Sequence, residues 1–188
     1  MAKDIDTKIE HAKLWPFFAS FFALAIYAGW AFRPGGLWER VVDIANGGPP
    51  ETKIGFPAVE PARSINLLSG DQNIYLLWQV ADIPYAILNM SFMSAGLALG
   101  LKTLNLSGTF GRILLALPVV YLIGEVVENS LLSAMITGRL DPNGTPALFQ
   151  QLATTFKLST GFISMPLALI GGLGAVLLAL YARVKPKA

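Results

Sequence analysis

Four stretches of the chain are almost entirely apolar, and each is long enough to cross a bilayer as a helix. A transmembrane helix needs about 20 predominantly apolar residues. Short connectors join the last three stretches, so we expect those helices to be antiparallel neighbours. The sequence therefore predicts an all-α membrane protein, a four-transmembrane-helix bundle forming a single membrane domain over residues 1–188, with helices at about 14–32, 74–101, 113–137 and 149–181.

The segment between the first two apolar stretches, residues 33–73, is polar and rich in turn-forming residues, including Gly47-Gly48-Pro49-Pro50. It is predicted to be a long extracytoplasmic loop. Within it, Leu37 to Ala45 has the pattern of a short amphipathic helix lying on the membrane surface. Loops of this length often act as lids or partner contacts. A plain connector is the alternative, and the sequence does not separate the two.

Composition supports the membrane prediction and excludes several kinds of site. Hydrophobic residues make up 54% of the chain and charged residues 14%, whereas soluble domains carry about 25% charge. The absence of cysteine excludes a disulfide framework and a thiolate metal site. His11 is the single histidine, so a histidine-based triad or a multi-histidine metal site within one chain is excluded. The net charge of +2 without a basic stripe argues against a nucleic-acid partner.

The basic residues predict the orientation of the helices. They occur in both terminal tails and in the connector between the second and third helices, whereas the connector between the third and fourth holds only Arg139. The positive-inside rule then places the N- and C-termini in the cytoplasm. Acidic residues precede the first apolar stretch and no A-x-A cleavage site follows it, so we expect a retained span rather than a signal peptide. The predicted location is the cell inner membrane, with a multi-pass topology.

Four ionisable residues interrupt the apolar stretches: Asp82, Glu125, Glu128 and Lys157. Each would cost about 2.5–3.5 kcal/mol at mid-membrane, so such residues usually face the bundle interior and pair. With a rise of about 1.5 Å per residue, Asp82, Glu128 and Lys157 each lie roughly 12–13 Å from the outer membrane surface. The sequence thus predicts two acids and one base at a common depth, on three different helices.

Each of the last three helices carries one polar stripe at the spacing of a shared helical face. The stripes are Gln79, Asp82, Tyr85 and Asn89; Tyr121, Glu125, Glu128 and Asn129; and Gln150, Thr154, Lys157, Gly161 and Ser164. Polar stripes turn inward in a bilayer, which predicts a buried polar pocket between these helices, with the first helix outside it or closing one side. The ligand-binding or proton-handling candidates are Asp82, Tyr85, Glu125, Glu128, Asn129 and Lys157, with Gln79, Asn89, Tyr121, Thr154 and Ser164 secondary.

The charge balance of this predicted pocket is uneven, because three carboxyls face one ammonium. Leaving all of them ionised in a low-dielectric interior is expensive. We therefore expect at least one carboxyl to be protonated, or a bound cation to be present. The alternative is purely structural: Lys157 forms a salt bridge with Asp82 or Glu128 that fixes the helix register. Three acids exceed what one lysine needs, which favours a functional site. The pattern predicts no metal site and identifies neither a cofactor nor a catalytic residue.

The string Glu125-Val126-Val127-Glu128-Asn129 resembles an acid-x-x-Glu-Asn motif found in a loose group of uncharacterised bacterial four-span membrane proteins. In that group an Asp often precedes an aromatic residue in the second span, as Asp82 precedes Tyr85. A lysine follows Ala and Thr early in the fourth span, as Lys157 does here. Glu125 stands where Asp is commoner. The resemblance covers the last three helices and implies a shared intramembrane site without naming a function.

Small residues and prolines add two further hypotheses. Gly96-x-x-x-Gly100, together with Gly171, Gly172 and Gly174, permits close helix contact, either within the chain or with a partner. Prolines interrupt the last three helices, and Pro84 stands two residues from Asp82, where the carbonyl it frees would line the pocket.

Three functions remain open on the sequence, and it does not show whether the protein is an enzyme. The first is a pocket that binds or converts a lipophilic small molecule entering from the lipid bilayer. The second is a non-catalytic subunit of a larger membrane complex, or a homo-oligomer. The third is a proton or ion pathway that uses the acids as a relay.

Overall fold

A computed structural model describes residues 9–45, 49, 52, 59–66, 68, 72–106 and 108–184. Much of the long loop and most of the basic residues in the two terminal tails, Lys3, Lys8, Lys185 and Lys187, lie outside the described residues. The predicted orientation therefore draws partly on residues that the structure does not describe.

The described part of the chain is helical and contains no strand. Its helices are α1 (Leu14–Ala31), α2 (Leu37–Ile44), α3 (Val59–Asn66), α4 (Gln72–Thr103), α5 (Thr109–Ile136) and α6 (Thr145–Val184). Of these, α1, α4, α5 and α6 are long and apolar enough to cross a membrane. This confirms the all-α prediction with four candidate membrane helices.

The helix bounds differ from the predicted ones by up to four residues, and the difference has a physical cause. α5 begins at Thr109 rather than near 113, and α6 begins at Thr145 rather than near 149. The helices continue beyond the apolar stretch into polar turns, where hydropathy gives no signal. Glycines in the left-handed region mark both ends of α5: Gly108, with a φ of 83°, precedes Thr109, and Gly138, with a φ of 71°, follows the end of the helix. A left-handed residue in this position is a common helix C-cap, and glycine adopts it without strain.

The segment between α1 and α4 holds two short helices. α2 matches the predicted amphipathic helix, and it buries Leu37 and Val41. These two side chains share a core cluster with Tyr75 and Trp78 at the start of α4. α3 lies within the segment predicted to be a loop. Pro61 is a turn-forming residue by sequence, but proline is tolerated in the first turn of a helix, where α3 has it. The described part of this segment is therefore folded against the start of α4.

The chain divides into two compact units. The first unit comprises Met1–Leu24, Leu88–Val120 and Thr160–Ala188, and the second comprises Ala25–Ile87 and Tyr121–Ser159. Each of α1, α4, α5 and α6 contributes residues to both units.

In the first unit, α4 and α6 meet at glycines. A Cβ at Gly96 would lie 2.7 Å from the carbonyl carbon of Ala168, and a Cβ at Gly100 would lie 2.9 Å from the Cα of Gly171. Glycine is required at such backbone contacts because any side chain would overlap them. A side chain at Gly172 would likewise meet the ring of Phe17. These glycines are therefore used for packing inside the chain, which is one of the two uses predicted for them.

Candidate functional site

The six main candidate residues all belong to the second unit, where α4, α5 and α6 bring them together. The four ionisable side chains are buried: Glu128 is 0% exposed, Glu125 2%, Lys157 5% and Asp82 6%. Buried charges of this kind must be paired or hydrogen-bonded to persist. Their partners therefore define the site.

Lys157 on α6 forms ion pairs with both glutamates of α5. Its Nζ donates to Glu128 Oε2 and, over 3.3 Å, to Glu125 Oε1. Residues three apart share a helical face, so Glu125 and Glu128 both point toward α6. Gly124 brings the two helices close, because a Cβ there would lie 3.1 Å from Lys157 Cβ. The predicted pairing of Lys157 with Glu128 is thus present, and Glu125 is a second partner.

Both carboxyl oxygens of Glu128 are engaged. While Oε2 faces Lys157, Oε1 accepts hydrogen bonds from Thr154 Oγ1 and, over 3.2 Å, from Gln150 Nε2. Gln150 Nε2 also donates to Thr154 Oγ1 over 2.8 Å. An ammonium and two neutral donors stabilise a carboxylate. Glu128 therefore has the surroundings of an ionised side chain.

Asp82 on α4 has different surroundings. Its Oδ2 accepts a hydrogen bond of 3.4 Å from Asn129 Nδ2, which also lies 3.4 Å from the carbonyl oxygen of Gln79. The carboxyl of Glu125 lies beside that of Asp82. Two carboxylates this close repel each other, so a proton on one of them would stabilise the pair. Tyr121 lies beside Glu125 on the same helix.

α1 packs against α4 beside Asp82. The hydroxyl of Tyr27 donates to the carbonyl oxygen of Ala81 over 2.5 Å. Its ring stacks on that of Tyr85 with centroids 6.1 Å apart. The missing N–H of Pro84 frees the carbonyl of Val80, four residues before it, and not that of Ala81. The carbonyl predicted to line the pocket near Pro84 therefore stays a prediction, and the bond from Tyr27 joins α1 to the neighbouring turn.

The structure places the secondary candidates in two groups. Gln79, Tyr121 and Thr154 belong to the second unit with the cluster, whereas Asn89 and Ser164 are buried in the first unit.

Two polar residues of the site were missed from the sequence, Tyr27 and Gln151. Gln151 is fully buried, and its Nε2 donates to Gln150 Oε1 over 3.4 Å. It stands three residues before Thr154, so the helical spacing was an available signal. Tyr27 lies in a helix without charge or polar stripe, and only its contact with α4 reveals it.

Within the described ranges, no group of three or more His, Cys, Asp or Glu side chains is arranged to hold a metal ion. Comparison with known proteins found no matching family model, no matching curated protein and no matching solved structure.

Proposed function

We propose that this chain is an integral protein of the cell inner membrane that binds a lipophilic amine at the Asp82 end of its buried polar cluster. The observation that carries the proposal is the charge balance of the cluster. Three buried carboxyls, those of Asp82, Glu125 and Glu128, lie with the single ammonium of Lys157. One proton on the carboxyls and one ammonium still leave one negative charge on the cluster. A ligand ammonium would neutralise it.

The membrane part of this proposal rests on the exposed surfaces of the four long helices. They expose many large apolar side chains, including Ile26 and Phe162 at 75% and 72%. Trp15 and Trp30, near the two ends of α1, are exposed as well, as is usual for aromatics at membrane interfaces. Positive-inside placement of the basic residues puts both termini in the cytoplasm and the α1–α4 segment outside.

The hydrogen-bonding groups around Asp82 also favour a ligand that donates hydrogen bonds. Asn129 Oδ1 is buried and makes no hydrogen bond to any described residue, although the other atom of that amide contacts Asp82. Gln79, 2% exposed and one helical turn before Asp82, finds no hydrogen-bond partner for its side-chain amide in the described part of the chain. A buried polar group without a partner costs about 1–3 kcal/mol. An ammonium carries three donors and no acceptor, and it would satisfy both the carboxyl and the amide oxygens.

Aromatic rings complete the argument for a lipophilic cation. Tyr27 and Tyr121 both lie within electrostatic range of Asp82, and Tyr85 stacks on Tyr27. Further along, Phe32 contacts Tyr85 with ring centroids 5.5 Å apart. Ring faces attract cations and contribute about 0.5–2 kcal/mol. A carboxyl beside several rings therefore suits a ligand with an ammonium head and an apolar body.

The proposal is tested with dodecylamine, which is protonated at neutral pH, and with dodecanol as the uncharged probe of equal chain length. We expect the purified protein to bind the amine more tightly. Asp82→Asn keeps the shape and removes the charge, and it should weaken amine binding by at least about tenfold, or about 1.4 kcal/mol. Native mass spectrometry counts the bound probe, and circular dichroism checks folding. Asp43→Asn, at an exposed position of α2 in the same unit, is the matched control.

Equal binding of the two probes, or equal loss in the two variants, would contradict an amine site. Native mass spectrometry of protein gently extracted from its own membrane addresses the natural ligand. A small molecule that co-purifies with the unmodified chain and is absent from Asp82→Asn would identify it.

A proton pathway is the second candidate, because polar side chains follow one another through the cluster. Hydrogen bonds join Gln150, Thr154, Glu128, Lys157 and Glu125 in that order, and the carboxyl of Asp82 lies beside that of Glu125. If this chain conducts, proteoliposomes under an acid gradient should show a proton flux that Glu125→Gln abolishes. Flux that persists in this variant would remove Glu125 from the pathway. The subunit hypothesis gains less support, since four of the five glycines that suggested a partner contact, Gly96, Gly100, Gly171 and Gly172, pack within the chain.

A further inference from the structure

A groove of about 470 Å³ lies between α4 and α5 in the first unit. Ser94 and Ala98 from α4 and Leu115, Ala116 and Val119 from α5 line it. Small side chains on both helices leave the space open. Its volume is within the range of roughly 300–1,000 Å³ that small-molecule sites occupy. The groove is part of neither the buried polar cluster nor the function proposed for it.

Of the described residues that line the groove, Arg112 is the only charged one. It stands three residues after the start of α5, where the helix N-terminus adds a partial positive charge. From Arg112 to Val119 the apolar lining extends about 10 Å along the helix axis. The groove therefore has an apolar lining along its length and a cationic residue at one end.

The charge of the whole unit points the same way. Among its described residues, four basic side chains stand against the single acidic Glu10: Lys13, Lys102, Arg112 and Arg183. All four lie close to an end of a long helix: before the start of α1, at the ends of α4 and α6, and near the start of α5. Lys102 is fixed there by donating from Nζ to the carbonyl oxygen of Ala12 over 2.9 Å. An occupant with an anionic head is complementary to this charge.

We propose that the groove binds an anionic glycerophospholipid, with an acyl chain along the apolar lining and the phosphate at Arg112. The planar guanidinium donates two parallel hydrogen bonds to phosphate oxygens, which suits a phosphodiester. The neighbouring Ile113 and Val119 are exposed apolar residues, so a chain can enter sideways from the bilayer. A small soluble anion would leave the apolar length unused.

The test compares phosphatidylglycerol with phosphatidylcholine of the same acyl chains, added to delipidated protein in detergent and counted by native mass spectrometry. We expect one phosphatidylglycerol to bind at least tenfold more tightly than phosphatidylcholine. Arg112→Gln should abolish this preference. Arg183→Gln removes the same charge from the same unit but does not line the groove, and it should keep the preference.

A second variant tests the apolar part. Ala116 is exposed, so Ala116→Phe fills the groove without entering a buried contact, and it should reduce binding of both lipids. Thermal unfolding measured alongside shows whether each variant is folded.

Equal effects of Arg112→Gln and Arg183→Gln would overturn the proposal, as would undiminished binding in folded Ala116→Phe. Displacement of phosphatidylglycerol by millimolar inorganic phosphate would also overturn it, because the site would then recognise a free anion.

Discussion

Lys157→Met is expected to lower the free energy of unfolding by about 3–5 kcal/mol, the cost of removing one partner from a buried ion pair. Methionine has a similar length and fits the same space. It leaves Glu128 with its hydrogen bonds from Thr154 and Gln150, and it removes the ammonium that pairs with Glu128 and Glu125. Unfolding of the purified protein in detergent, followed by circular dichroism, measures the loss.

Two further variants separate this explanation from general damage to the helix. Lys102→Met makes the same chemical change at an exposed position on α4 and should cost less than about 1 kcal/mol. The double variant Lys157→Met with Glu128→Gln removes both charges of the closest pair, so it should recover much of the stability. A double variant as unstable as the single one would show that the charge on Glu128 is not what Lys157 compensates.

Gly96→Ala is expected to destabilise the first unit by about 1–3 kcal/mol, the usual cost of overpacking a close contact. The added Cβ would overlap backbone atoms of Ala168, 2.7 Å from its carbonyl carbon. A rotamer change cannot relieve a backbone overlap, so α4 and α6 must move apart. The same unfolding measurement in detergent detects the loss.

Gly174→Ala is the matched control on α6. A Cβ at Gly174 meets nothing within 4 Å, and alanine in a helix is favoured over glycine by up to about 1 kcal/mol. This variant should therefore be neutral or slightly more stable. If both variants changed stability by the same amount, the contact at Gly96 would not be essential to the packing.

The long helices were predictable because an uninterrupted apolar stretch of membrane length has few other stable forms. The buried polar face of each helix was also predictable, since the polar residues around Asp82, Glu125, Glu128 and Lys157 follow helical spacing on three helices. The ion-pair partners of Lys157 were not predictable. Helical spacing does not tell whether Lys157 reaches Asp82 or Glu125, because the rotation of each helix and the side-chain rotamers decide this. α3 was missed for a related reason: Pro61 stops a helix in its interior but not in its first turn.

For the membrane protein proposed above, the pairing of α5 with α6 also bears on how the chain would enter the bilayer. During synthesis, Glu125 and Glu128 are made before Lys157. If α5 entered the bilayer alone, each carboxylate would cost about 2.5–3.5 kcal/mol with no cation nearby. The connector from Thr137 to Gly144 is short, so α5 and α6 can leave the translocon together as a helical hairpin. In that order of events the ammonium of Lys157 reaches the glutamates before they meet lipid.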